Sequence, residues 1–173
     1  MKKILFIILL FSAILISCSA IQEQLSGESG NVKYVEPDDA EMNAAIQKAQ
    51  QSLPSFITAF RSPKPSQTYF SIKVRFPYGD DGAAEHMWVS ELSLSADQFE
   101  GLLGNEPIYV KNLQFGDTIK ADMEDISDWM IIDDNRLLGG FTLHVLRNNM
   151  TEKEQKQFDS EFGYIFPDSP LLP

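Results

Sequence analysis

Two successive runs of period two constrain this chain most. Phe70, Ile72, Val74 and Phe76 alternate with Tyr69, Ser71, Lys73 and Arg75. Side chains two apart on a strand share a face, so this run predicts a half-buried strand. Pro77 to Ala84 follows, with Tyr78-Gly79-Asp80-Asp81-Gly82 inside it, and reads as a hairpin loop. Glu85 to Leu94 alternates again, with His86, Trp88, Ser90, Leu92 and Leu94 on one face and Met87 and Val89 on the other. Apolar groups on both faces predict a strand inside a sheet. A lone hairpin is marginal in water, so the flanking segments decide the fold.

Those flanks are partly helical. Asp38 or Asp39 caps a predicted helix in which Met42, Ile46, Ala49 and Leu53 share one face. Pro54 is expected to interrupt it, with a second short helix from Ser55 to Arg61. Ser62 to Ser66 is a turn-rich linker. Ala96 to Leu103 fits a short helix or a strand, and Gly104-Asn105-Glu106-Pro107 ends it. Thr118 to Met123 and Trp129 to Ile132 read as strands, the latter followed by the turn Asp133-Asp134-Asn135. Gly139-Gly140 opens a segment with the helical spacing Phe141, Val145, Leu146. Thr151 and Glu154 form a capping box for a last helix through about Phe162. The expected class is α+β: a mostly antiparallel sheet of about four to six strands, an N-terminal helix and one or two C-terminal helices. Residues 38–166 form the expected single domain and 167–173 a tail.

The N-terminus carries a different signal. Lys2 and Lys3 precede an apolar run from Ile4 to Ile16, then Ser17 and Cys18, the only cysteine. That run is 13 residues, against about 20 for a spanning helix, and fits a signal h-region. Leu15-Ile16-Ser17-Cys18 resembles the lipobox of bacterial lipoproteins. The resemblance implies cleavage after residue 17 and lipidation of Cys18. Ser19, not aspartate, then implies the periplasmic face of the outer membrane in a Gram-negative host. Residues 18–37 read as a flexible tether, whose reach is about 25 Å, unless Val32 to Val35 pins it as a strand.

Cleavage leaves 12 basic and 25 acidic side chains, a net charge of −13. Such a surface repels phosphate backbones and anionic lipid headgroups, so no nucleic-acid partner is expected and acyl chains alone hold the membrane. With its one cysteine lipidated, the chain has no thiol for catalysis or disulfide formation.

Several residues in the middle of the chain recur as a set. They are Glu85-His86-Met87-Trp88-Val89, Phe99 through Pro107, Gly116-Asp117, Ile126-Ser127-Asp128-Trp129 and Gly139-Gly140-Phe141-Thr142. In order and spacing they resemble the YegJ-like family, the domain of unknown function 2314, over roughly residues 40–150. The resemblance implies a small bacterial α+β domain, often exported or fused to other modules. It brings no activity, cofactor or catalytic residue.

The residues themselves offer a candidate binding surface: Glu85, His86, Trp88, Asp125, Asp128, Trp129 and Thr142. A carboxylate beside a histidine can tune it, but Glu85 and His86 are strand neighbours and point to opposite faces. Asp125 and Asp128 can do acid–base work on a sugar if they converge, although Asp and Ser here also suit a turn. The Gly139-Gly140 segment can hold an anion on a helix N-terminus, or let sheet and helix approach closely. His86 and His144 are the only histidines, so a zinc site would need Asp or Glu for its remaining ligands, and no helix shows paired ligands at i and i+3 or i+4. No metal, cofactor or catalytic residue is expected. The favoured expectation is an envelope lipoprotein that binds a protein or small ligand. The alternatives are a hydrolase using His86 with Asp125 or Asp128, and an immunity or inhibitor protein against a basic toxin.

Overall fold

The computed structural model describes residues 39–171 except Asp81. Cys18, the leader 1–17, the tether 18–37 and the strand option at Val32 to Val35 therefore lie outside the described residues. Among the described residues, no helix is long and apolar enough to cross a membrane.

The chain forms α1 (Ala40–Arg61), β1 (Gln67–Pro77), β2 (Ala84–Ser95), β3 (Gln98–Leu103), β4 (Thr118–Asp122), β5 (Ile126–Asp133), β6 (Arg136–Gly139), α2 (Phe141–Asn148) and α3 (Glu152–Phe162). The strands make one sheet in the order β4-β3-β2-β1-β5-β6. Every neighbouring pair is antiparallel. This is the α+β class that the sequence predicts, with the two alternating strands β1 and β2 at the sheet's centre.

One face of the sheet packs on α1. Asp39 caps the helix by accepting from Glu41 N and Met42 N. Ala45, Ala49, Leu53 and Phe56 are buried against Ile72, Val74, Met87, Val89, Phe99 and Trp129. The Phe56 ring lies 5.4 Å from Trp129 and 5.9 Å from both Phe70 and Phe99. The indole Nε1 of Trp129 donates to the Ala49 carbonyl at 3.1 Å and to Ser52 Oγ at 3.1 Å. A second cluster joins Ile132, Leu137 and Leu143 with Trp88, Met130, Phe158, Phe162 and Phe166. A bidentate Arg147–Asp159 pair at 2.6 and 2.7 Å fastens α2 to α3.

Three sequence expectations are corrected and one open alternative is resolved. Pro54 does not end the first helix, which runs unbroken to Arg61. Phe56 and Phe60 continue the apolar stripe into the aromatic cluster, and that packing outweighs a local proline cost of about 3 kcal/mol. Ala96 to Leu103 resolves as a turn and strand β3. On β2, Glu91 adopts φ 51° where the pairing with β3 shifts register. This bulge moves Leu92 and Leu94 to the α1 side with Met87 and Val89, while Trp88 belongs to the second cluster. Strand β6 was not expected. It has four residues, and its adjacent Leu138 and Leu137 serve opposite clusters, so no alternation shows.

Gly139 has φ +73°, and a Cβ there would collide with the Trp129 carbonyl and ring. Gly163 has φ +71° but open space around it. Gly139→Ala should therefore cost clearly more than Gly163→Ala, which bears only the left-handed penalty of about 1–2 kcal/mol. Urea denaturation of the two variants checks the order.

Candidate functional site

Strand alternation splits the predicted site residues between two faces. Trp129 pairs with Ile72 and stands under α1, fully buried. Asp128 pairs with Lys73, on the other side. Ser127 and Asp128 lie within β5 and not in a turn before it, because β5 begins at Ile126, three residues earlier than the sequence pattern shows.

Asp128 is 0% exposed, and both its oxygens are occupied. Oδ1 accepts from Trp129 N at 2.8 Å and Phe141 N at 3.2 Å. Oδ2 accepts from Thr142 N at 2.8 Å and Thr142 Oγ1 at 2.7 Å. The helix N-terminus at Gly139-Gly140 does hold an anion, and that anion is this carboxylate. Since the Thr142 hydroxyl donates to Asp128, its oxygen is left to accept from Lys73 Nζ at 3.2 Å. The Lys73 ammonium also lies over the Trp88 ring, 5.5 Å from its centroid. The bond directions form one chain, Lys73 to Thr142 to Asp128. Burial pushes the Asp128 carboxyl up, and the bonds from Thr142 and Trp129 and the Lys73 charge oppose it. Burial likewise pulls Lys73 down, opposed by Asp128.

His86 joins a different partner. Its Nδ1 lies 2.8 Å from Ser127 Oγ, whose hydroxyl also reaches the Lys73 carbonyl at 3.2 Å. A hydroxyl has one proton. If it goes to the carbonyl, His86 donates from Nδ1 and keeps Nε2 as acceptor. Burial lowers the His86 pKa to about 4, helped by the charges of Lys73 and Arg75. A serine–histidine pair suggests nucleophilic chemistry. Here Ser127 is only 2% exposed, and no carboxylate orients the imidazole among the described residues. Neither Asp125 nor Asp128 meets His86 by a hydrogen bond. Asp125 sits half-buried in the short 3-10 turn before β5 and makes no side-chain hydrogen bond among the described residues.

Glu85, on the opposite face from His86, has its own task. Its carboxylate accepts from three successive backbone N–H groups, Ile108 at 2.8 Å, Tyr109 at 2.9 Å and Val110 at 3.1 Å. Asn105 Oδ1 accepts from Trp88 N at 2.7 Å, and Asp117 Oδ2 from Gln114 N at 3.0 Å. These bonds order the loop between β3 and β4. Tyr109 stacks on Tyr78 of the β1–β2 loop, with centroids 4.8 Å apart and planes at 13°. Ile108, Tyr109 and Phe115 nevertheless remain 40%, 45% and 47% exposed.

Sequence reasoning missed Lys73, Ser127, Tyr109 and Phe115 as site residues. Lys73 had no clear signal, since it sits with Tyr69, Ser71 and Arg75 on the polar face of the alternating strand. The loop residues had none, since no sequence pattern links Glu85 to backbone donors over twenty residues away. Among the described residues, no group of three His, Cys, Asp or Glu side chains is placed to hold a metal ion. His86 is engaged with Ser127, and His144 lies edge-on to Phe166.

Residues 39–166 match a family model described as an uncharacterized protein conserved in bacteria, DUF2314. The chain belongs to this family. An uncharacterized protein, YegJ, of Escherichia coli strain K12 is 33% identical over 109 residues, 63% of this chain and 69% of that protein. A putative ankyrin repeat protein of Neisseria meningitidis serogroup B is 32% identical over 143 residues, 79% of this chain. The match spans only 56% of the Neisseria protein's length. No solved structure matches. The printed descriptions of the family and of these two relatives assign no reaction.

Two outcomes follow from the geometry. Asp128→Asn places an amide N–H₂ or a single acceptor against donors that now meet two oxygens, and it strips Lys73 of its counter-charge. The loss should be about 3–5 kcal/mol, as for a broken buried pair, read from urea unfolding. The His86 pKa falls from 6.5 unfolded to about 4 folded. Between those values the unfolded chain binds a proton that the folded chain does not, so His86 makes stability fall as pH falls through that window. His86→Gln should flatten stability against pH between about 6.5 and 4, measured by denaturation at each pH. Equal slopes in both proteins would contradict the assignment.

Proposed function

We propose that this protein is a lipid-anchored module of the bacterial envelope that binds a protein partner and catalyses no reaction. The observation that carries the reading is the β3–β4 loop. A long connection without secondary structure is uncommon in a compact domain and is usually functional or disordered. This one is ordered by Glu85, Asn105 and Asp117, yet it displays Ile108, Tyr109 and Phe115. Exposed large apolar groups that are held in place suit recognition, because their ordering cost is met before binding. Asp128, Ser127 and His86 are engaged within the fold, and neither Asp125 nor Asp128 hydrogen-bonds to His86, which supports a binding role over a hydrolase. The anchor rests on Lys2-Lys3, the apolar run and Cys18.

Crosslinking in cell envelopes tests the loop. The full chain should give a discrete adduct that the double variant Tyr109→Ser, Phe115→Ser loses at unchanged thermal midpoint. An undiminished adduct in that variant, or substrate turnover by the purified protein, removes the reading. For the anchor, Cys18→Ala should leave the chain unprocessed or released from membranes in fractionation. A Cys18→Ala protein that still pellets, correctly cleaved, contradicts it.

A further inference from the structure

The sheet face that bears His86 holds an arrangement distinct from the loop. Lys73 and Arg75 are two apart on β1 and share a face. Their register partners on β2 are Trp88 and His86. Directly opposed residues on paired strands stand about 4.5–5.5 Å apart at Cβ. The four side chains thus form a two-by-two block, each half-buried. Thr142 Oγ1 bounds it beside Lys73 at 3.2 Å, and Trp88 gives it an aromatic wall.

Its donors are underused. A lysine ammonium carries three N–H donors and a guanidinium five. Lys73 has one hydrogen-bond partner among the described residues, Thr142. Arg75 has one, the Gly82 carbonyl at 3.1 Å. Neither forms an ion pair with a carboxylate among the described residues. Asp128 balances one of the two cations from behind Thr142 and is closed on all sides by its own donors. Among the described residues, one positive charge of this half-buried block is therefore left without a carboxylate partner, in a chain whose net charge is −11.

We propose that the Lys73, Arg75, His86 and Trp88 block binds a small organic monoanion through its carboxylate. The planar guanidinium fork of Arg75 matches a carboxylate with two parallel bonds. Lys73 supplies a further donor, and the ligand's body lies against Trp88. A single uncompensated charge suits a monocarboxylate better than a phosphate dianion. This site goes beyond the loop reading and stands or falls without it.

Benzoate is the probe, titrated into the full chain in detergent at constant ionic strength. Tryptophan fluorescence and calorimetry are the readouts. Inorganic phosphate and benzyl alcohol, which lack respectively the ring and the charge, run in parallel. Benzoate should bind saturably, and both controls at least about tenfold more weakly. Arg75→Gln should weaken benzoate by about tenfold or more at unchanged thermal midpoint. If that variant loses stability, Arg75→Lys replaces it, keeping the charge but not the fork, and should weaken benzoate likewise. The proposal is overturned by any of three results: no saturation up to the solubility limit of benzoate, equal responses to benzoate and phosphate, or undiminished benzoate affinity in the Arg75 variant that retains its midpoint.

Discussion

The buried carboxylate of Asp128 is the constraint on which the rest of this structure depends. A carboxylate taken out of water costs several kcal/mol unless its lone pairs are met. Here three backbone N–H groups and one hydroxyl meet them, and three of the four donors come from the first turn of α2. The start of that helix is thereby fixed against β5. Gly139 and Gly140 must then pass close to Trp129, and Gly140 N donates to the Trp129 carbonyl at 2.7 Å. Trp129 is the next residue along the strand, so it points to the opposite face, where its ring and Nε1 position α1. Two adjacent side chains thus set both layers of the domain. The motif Ser127-Asp128-Trp129 with Gly139-Gly140-Phe141-Thr142 is the written form of that junction.

Glu85 repeats the same physics at a different place. It too is a carboxylate whose oxygens accept backbone N–H groups, and it too fixes a segment distant in sequence. Asp128 and Glu85 are therefore consumed by architecture. Neither meets the histidine. What the fold leaves free is surface: an ordered apolar loop at one end of the sheet, and a cationic block on the face away from α1.

The strands that obey alternation were legible. Phe70 to Phe76 and Glu85 to Val89 lie as their period demands, and the capping box of Thr151 and Glu154 starts α3 at the expected residue. Legibility failed where tertiary packing overrules a local signal. Pro54 is a helix breaker in isolation, but Phe56 and Phe60 gain more from the aromatic cluster than the proline costs. Glu91 inverts the faces of Leu92 and Leu94 through a bulge that no neighbouring residue announces. Strand β6 was hidden because Leu137 and Leu138 are both buried. Its signal lay in Asp134 and Asn135, whose φ values of 47° and 62° suit the tight turn that pairs β6 with β5. For the site, the spacing of Asp128 and Thr142 was visible, but their contact was not, since it depends on how α2 folds back onto β5.

Lys73 shows why the polar cluster is more than a structural remnant. A buried ion pair can often be replaced by apolar residues without loss of stability, so stability alone does not account for its presence here. If neutralising Asp128 were the whole role of Lys73, a direct ion pair would do it best, because attraction grows as separation falls. Thr142 stands between them instead. The hydroxyl passes the compensation along while keeping the ammonium off the carboxylate, so the remaining Lys73 donors stay on the side of Trp88 and Arg75. A purely architectural pair has no use for spare donors beside a guanidinium that has no carboxylate partner among the described residues. The spacing of Lys73, Thr142 and Asp128 therefore serves two demands at once: it holds α2 to the sheet and leaves a positive edge on a strongly acidic protein.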